Sequence, residues 1–549
     1  MMKNDRFVYL DYAATTPPDP RVIDVMVKTL HSKWGNFTSH HRAGFEAKEA
    51  LDQALDSIAA FLQVKRNELI ITSGATESIN QAIKGVCHSQ TKKHIITSTV
   101  EHKATLQTVQ ALMKEGYKAT FISPNPKGLI TPEMVEAVIT DDTAIISLIW
   151  VNNETGDVMP VESIAKIARA RKIPFHVDGT QTAPHQRIDA SQFDLLSMSG
   201  HKCYGPKGVG ILYRRHFPRL PLTPLIDGSG GQLGIRSGTM PNEQITGLAE
   251  ALELCAHSYE EEQARHTVLA DKILTELAPF GVERNCGRID VASENQAHRI
   301  IPSILNLWIP DVHADALIHY LPELGFAKGS ACNSDDTLPS YVLTEMGYST
   351  ERSLQSIRLS LGRFTNLDEI EFALLRFKAV IGLLQSLATG RDADLSIEQS
   401  EEGEDELQEM ASIFNNLNLI RAMSEKPEDP PLIREVHLNE EHLKVTFKII
   451  EMDGKLRVLA LVSGVPYMID AVLTVREALE RLLAELVELN GGFTQGDFSD
   501  FSIEAQFDEG VPSRYLRDLL KVEGIIRTLY NERYKTTGNK KAHGFNVRP

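Results

Sequence analysis

Residues 199–208 read Ser199-Gly200-His201-Lys202-Cys203-Tyr204-Gly205-Pro206-Lys207-Gly208, a lysine set between a Gly-His pair and a Gly-Pro turn. A lysine that only solvates a surface needs no such setting, whereas one that holds a carbonyl compound as a Schiff base needs a fixed backbone and close neighbours. The stretch follows an apolar run, DLLSMS (194–199), and five runs of the same kind precede it: ELIITS (68–73), HIITST (94–99), ATFIS (119–123), AIISLIWV (144–151) and FHVD (175–178). Longer amphipathic stretches separate them. This is the βαβα rhythm of a mainly parallel sheet covered by helices. Several chemically suggestive residues fall just after these runs, where open α/β sheets bind ligands.

The commonest aldehyde for a Schiff-base lysine is pyridoxal 5′-phosphate, which makes further demands on the chain. A buried carboxylate must keep the pyridine nitrogen protonated, and Asp178 closes the run FHVD, with Gln181 three residues on as a reach to the ring hydroxyl. The phosphate needs a cradle, and in ITSGATESIN the run ELIITS passes into Gly74-Ala75-Thr76, the opening of a helix whose free N–H groups suit an anion. His102 in STVEHKA is placed to stack on the ring and shuttle a proton, and Asn153 in WVNNETG offers another hydrogen bond to the ring hydroxyl. Taken singly, such residues are ordinary: a histidine after a strand is a loop residue, a strand-end aspartate a helix cap, a lone lysine a surface charge. Their order along the chain, each at a strand exit, is what sets them apart.

In this order they resemble the cysteine desulfurases of the NifS/IscS type, within the class-V aminotransferase family of fold-type-I pyridoxal-phosphate enzymes. The resemblance runs over about residues 7–385 and rests on LDYAATTP, TSGATES, VEHKA, VNNETG, HVDGTQ, SGHKCYGPKG, RSGT, GSACNS and SIRLSLGRFT. It implies an α/β fold in which a mainly parallel seven-stranded sheet forms a large domain (about 16–262) and a small α+β domain takes residues 1–15 and 263–390. It implies a homodimer in which Lys202 holds the cofactor, Ala75, Thr76, Ser199 and His201 bind its phosphate, and Thr239 reaches it from the other subunit. Arg358 in SIRLS would clamp the substrate carboxylate, with Asn153 beside it. Cys332, in the polar stretch AKGSACNSDD, would be the nucleophile: its thiolate, formed with help from His102, takes sulfur from L-cysteine as a persulfide and leaves alanine. A sulfur-acceptor protein then collects it, for iron–sulfur cluster assembly, tRNA or DNA thiolation, or cofactor synthesis. Selenocysteine lyase activity, another pyridoxal-phosphate lyase or aminotransferase, and a non-catalytic sulfur-pathway adaptor stay open as alternatives.

Two segments depart from the family pattern. DGSGGQLGI (227–235) carries Gln232 and Leu233 where Glu and Arg are usual, and GNFTSHHRAG (35–44) lacks the usual Asn-Pro. The larger departure is the extension after residue 390. Residues 391–429 hold twelve acidic against three basic side chains, the composition of a solvated linker ending near residue 430. A small α+β module of unknown role is expected over 431–534: a hairpin of KVTFKII and KLRVLALV turning at Asp453-Gly454, a helix carrying Val472 to Leu489, and a strand near Phe501–Phe507. Residues 535–549 read as a basic, flexible tail.

The chain totals 549 residues, 42% hydrophobic and 24% charged, with a net charge of −17. Such an acidic balance argues against general nucleic-acid binding. Five scattered cysteines (Cys87, Cys203, Cys255, Cys286, Cys332) form no zinc-type spacing and read as thiols. No metal site is expected. With neither a signal-peptide pattern nor an apolar run of membrane-spanning length, the expected location is the cytoplasm, without membrane attachment.

Overall fold

The computed structural model describes residues 6–126, 128–285, 299–328 and 339–389, together with five strands between 435 and 505. It divides into two units, Met1–Leu395 and Ser396–Pro549. The strands of the first are β1 (Val8–Tyr9), β2 (Leu69–Thr72), β3 (His94–Ser98), β4 (Lys118–Ile122), β5 (Thr143–Ile149), β6 (Phe175–Asp178), β7 (Leu195–Ser199), β8 (Gly210–Arg214), β9 (Glu283–Arg284), β10 (Ile304–Trp308), β11 (Leu324–Gly325), β12 (Ala327–Lys328) and β13 (Ser356–Ser360). Its helices are α1 (Pro20–Ser32), α2 (Arg42–Leu62), α3 (Ala75–His88), α4 (Lys103–Lys114), α5 (Pro132–Ala137), α6 (Val161–Ala170), the single turn α7 (Gly231–Gly234), α8 (Asn242–Leu277), α9 (Ala314–Tyr320), α10 (Tyr341–Glu345), α11 (Thr350–Leu354) and α12 (Leu367–Thr389).

Seven strands form one sheet in the order β2-β8-β7-β6-β5-β3-β4. The pairs β3–β4, β3–β5, β5–β6 and β6–β7 are parallel, and β8 alone runs against both its neighbours. All six apolar runs seen in the sequence became strands of this sheet. The reversed strand β8 was missed, because its GILYR begins with a glycine and follows Gly205, Pro206 and Gly208, and reads as turn. Yet every residue of β8 is buried, and they alternate between cores: Ile211 and Tyr213 pack on one face of the sheet, Leu212 on the other. Helices thus cover both faces, as near-continuous apolar strands require.

The edge strand β2 is closed by a side chain. The Gln232 amide accepts from Ile71 N at 2.5 Å and donates to Ile71 O at 2.9 Å, as a neighbouring strand would. The departure from the family pattern at Gln232 therefore has a structural use here.

A second core gathers Val8, Leu10, Leu305, Leu307, Ile357, Leu359 and Phe377 around the antiparallel sheet β12-β13-β10-β9. Helix α8 serves both cores, with Ile245, Leu248 and Leu252 in the first and Leu269, Ile273 and Leu277 in the second. In the second unit, β14 (Glu435–Glu440), β15 (Leu443–Met452), β16 (Lys455–Val462), β17 (Val465–Met468) and β18 (Ile503–Ala505) form an antiparallel sheet in the order β17-β16-β15-β14-β18. Met452 pairs with Lys455, the register of the expected hairpin. The acidic linker, the helix expected over 472–489 and the basic tail lie outside the described residues.

Candidate active site

The sheet's strand exits converge on one place. At the end of β2, Gly74 opens α3 at φ 155° with no side-chain cap, so among the described residues no N-cap side chain answers the N–H groups of the first turn. The start of β8 passes directly beneath: a Cβ on Gly210 would lie 2.6 Å from Gly74 Cα and 2.7 Å from the Met198 carbonyl oxygen. Only glycine lets the two backbones approach so closely. Ser199, at the end of β7, points its hydroxyl toward Gly74. Ala75 is half-buried and Thr76 exposed. The adjoining turn is braced by Glu77, which accepts from Ser73 N at 2.7 Å and from Arg236 Nε at 3.0 Å.

Lys202 follows β7 within a short 3₁₀ turn and is half-buried. Its Nζ donates to the carbonyls of Ala13 and Ala14, at 2.7 and 2.6 Å. Gln181 Nε2 also donates to Ala13 O, at 2.8 Å, and the His201 Nδ1 lies 3.1 Å from Thr15 Oγ1. Burial, aided by the charges of Lys202 and Lys207, pulls His201 down to about 4, so its imidazole is neutral at physiological pH. Asp178, 2% exposed at the end of β6, accepts from Thr180 N at 3.0 Å and from the Thr180 hydroxyl. His102 caps α4, its Nδ1 accepting from Ala104 N at 3.1 Å, which leaves the proton of the neutral ring on Nε2.

Arg358 on β13 is 1% exposed. Its NH1 donates to the Asn153 carbonyl at 3.0 Å and its NH2 to Asp11 Oδ1 at 2.7 Å, while Nε has no hydrogen-bond partner among the described residues. The Asn153 side chain is half-buried, and Thr239 is exposed. Two carboxyls that the sequence did not single out are fully buried here. Burial lifts Glu154 to about 7, against the opposing effects of the Ser340 hydroxyl (2.5 Å) and the charges of Arg358, Lys103 and His102. Burial also lifts Glu101 to about 8, with a smaller push from Asp178. Cys332 lies outside the described residues. Lys328, which precedes it by four positions, is ion-paired with Asp315.

These positions lie within a recognised family: the model of aminotransferase class-V matches residues 8–372. The cysteine desulfurase IscS of Serratia proteamaculans is 41% identical over 388 residues, 69% of this chain and 94% of the relative; that of Klebsiella pneumoniae is 42% identical over the same shares. The chain belongs to the class-V aminotransferases, in their cysteine desulfurase branch. Among solved structures, the desulfurase resembles a NifS-like protein (TM-score 0.62, 30% identity, 69% of this chain and 99% of the other). It also resembles SspA in complex with cysteine (0.58, 35%, 65% and 100%) and DndA of Streptomyces lividans (0.54, 36%, 64% and 99%).

The donor set fits pyridoxal 5′-phosphate. An uncapped helix N-terminus walled by Gly74 and Gly210 suits the phosphate, a buried strand-end carboxylate suits the pyridine nitrogen, and a lysine follows the exit of β7, the strand paired with β6. No group of three or more His, Cys, Asp or Glu among the described residues is arranged to hold a metal, and no described helix is long and apolar enough to cross a membrane. Cys87, Cys203 and Cys255 are free and buried.

Sequence reasoning quoted LDYAATTP but gave its residues no role. In the fold, residues 11–16 form a strap that touches Arg358 through Asp11, Lys202 and Gln181 through Ala13 and Ala14, and His201 through Thr15 and Thr16. Its signal was present only as a motif, since the contacts are backbone carbonyls and pairs up to 347 positions apart.

Proposed function

We propose that this pyridoxal-phosphate-dependent cysteine desulfurase works with Lys202 as its cofactor lysine, in a site built from the strand exits and the 11–16 strap. The observation that carries the reading is that Lys202, Asp178 and the open start of α3 stand at the same end of the sheet, each at the exit of a different strand. Ala75, Thr76, Ser199 and His201 hold the phosphate, Asp178 the pyridine nitrogen, and Asn153 and Gln181 the ring hydroxyl. His102 stacks on the ring. Thr239 completes the phosphate site of a second copy, which makes the working unit a homodimer.

When bound, the cofactor supplies an aldehyde that captures the amine of L-cysteine and a ring that withdraws electrons from the substrate's Cα. Arg358 holds the substrate carboxylate, with Asn153 at its side. The Lys202 amine takes the proton from Cα and returns one, its position set by the Ala13 and Ala14 carbonyls. His102 presents Nε2 to the sulfur chemistry because Ala104 N–H occupies Nδ1. The Cys332 thiolate attacks the substrate sulfur: the new S–S bond is made as the carbon–sulfur bond breaks, and protonation of the remaining three-carbon unit gives alanine. The persulfide then passes its outer sulfur to an acceptor protein, and residues 391–549 serve as the module that docks that acceptor.

Alanine release from L-cysteine in the presence of a reductant tests the reading, with the yellow colour of the protein recorded first. Wild type should give alanine and sulfide; Cys332→Ser should stay yellow and give neither; Lys202→Ala should lose both the colour and the turnover. An unchanged rate in Cys332→Ser overturns the nucleophile, and turnover in Lys202→Ala overturns the lysine.

A further inference from the structure

Arg358 is a buried cation whose one ionic partner among the described residues is Asp11. Asp11 is itself firmly seated. It forms a backbone bridge with Ser360, two residues along from Arg358 on β13, and its carbonyl accepts from Tyr9 Oη at 2.9 Å. The same tyrosine donates to Thr15 O at 2.8 Å, and Ser360 Oγ accepts from Ala13 N at 2.9 Å, so the strap is pinned on both sides of Asp11. The Asp11 carboxylate therefore meets the guanidinium from a fixed point.

We infer that Asp11 is a positioning residue for substrate recognition: it orients the Arg358 guanidinium so that the substrate carboxylate meets N–H groups already aimed at it. This rests on the reading of Arg358 as the carboxylate clamp. The guanidinium offers five N–H groups in a rigid plane, and the two hydrogen bonds to Asp11 and to the Asn153 carbonyl fix that plane completely. Among the described residues the buried Nε–H has no partner, which is costly unless a ligand answers it. Preorganisation of this kind strengthens binding because the orientation is fixed before the ligand arrives. Asp11 lies two to three residues from the carbonyls that hold Lys202, so the strap ties the carboxylate clamp and the proton-transferring amine to one short piece of backbone.

The test is steady-state kinetics of the full-length holoenzyme with L-cysteine for Asp11→Ala, Asp11→Asn, Arg358→Ala and the Asp11→Ala/Arg358→Ala double variant. A parallel titration with L-alanine, followed by the cofactor's absorbance, reads affinity without turnover. Loss of one charge-assisted hydrogen bond to the guanidinium predicts a KM and an L-alanine Kd raised about tenfold in Asp11→Ala, with kcat changed less than about threefold. Asp11→Asn keeps an acceptor oxygen in place and should recover most of the affinity. In the Arg358→Ala background, Asp11→Ala should add nothing. A KM that is unchanged or lowered in Asp11→Ala overturns the inference, as does an equal further rise in the double variant, or a loss of kcat and thermal stability without a change in KM. Should Asp11→Ala fail to fold, Asp11→Glu carries the same expectation, since the longer side chain displaces the guanidinium while keeping the charge. If Arg358→Ala itself leaves KM unchanged, the clamp reading fails and Asp11 with it.

Discussion

Replacing Arg363 with methionine should destabilise the protein sharply, and the structure sets the size of the effect. The Arg363 side chain is 9% exposed and lies between two carboxylates that are also nearly inaccessible: NH1 donates to Asp19 at 2.9 Å and Nε to Glu262 at 2.6 Å. NH2 reaches Ser258 Oγ at 3.2 Å, and the guanidinium carbon stands 4.2 Å from the centre of the Tyr204 ring. Methionine fills much of the volume but leaves Glu262 buried without a counter-charge, a change worth about 3–5 kcal/mol. For the unit Met1–Leu395, at about 2.1 cal/mol/K of unfolding entropy per residue, that corresponds to a fall of about 4–6 °C in the thermal midpoint. Asp19 keeps Arg21, whose bonds contribute most to holding its carboxyl well below the usual range, with Arg363 second. A carboxyl depressed in this way stabilises the fold fully above about pH 4, and that contribution fades as the pH falls further, so the deficit is to be measured at neutral pH. Differential scanning calorimetry of Arg363→Met and of Arg363→Met/Glu262→Gln provides the assay. The double variant should regain at least half the loss, because no unpaired charge is left on α8. A single variant within about 1 °C of wild type, or a double variant no better than the single, refutes the argument.

Gly210→Ala would drive a methyl group into the Gly74 backbone at 2.6 Å, so it should cost about 1–3 kcal/mol of stability and weaken cofactor retention, read by absorbance during titration with pyridoxal 5′-phosphate. Glu154→Gln removes a carboxyl whose folded value is raised to about 7 by burial. Such a group favours the fold below about pH 4 and loses that contribution as the pH climbs to 7, so the variant's stability, followed by its melting temperature, should gain on wild type between pH 5 and pH 8 by up to about 3 kcal/mol. A constant difference across that range contradicts it. Deleting residues 391–549 should leave alanine formation intact and lower sulfur transfer to the native acceptor; equal transfer after deletion removes the docking role.

The sheet was legible because buried parallel strands are written as continuous apolar runs, and the residues at their exits were legible because each stands next to such a run. Strand β8 was not, since the glycines that let it pass under Gly74 look locally like a turn; only the packing of Ile211, Leu212 and Tyr213 into two cores reveals it. Lys202, Asp178 and His102 were legible through their order, each a chemically capable residue at the exit of an apolar run. Asp11, Glu101 and Glu154 were not, because their importance comes from burial and from partners such as Arg358 and Ser340 that lie far away in the chain. The strap acts largely through main-chain carbonyls, which every residue possesses and no sequence pattern distinguishes.

An open sheet ends in a strand with half its hydrogen bonds unspent, and such a rim invites growth by any extended peptide that drifts past. The Gln232 amide, docked on both the N–H and the C=O of Ile71, answers that invitation with a single side chain. A strand arriving at β2 must first expel it. The rim is thereby sealed against runaway assembly without a covering helix, and a Gln232→Ala protein would carry its vulnerability as turbidity on storage rather than as lost chemistry.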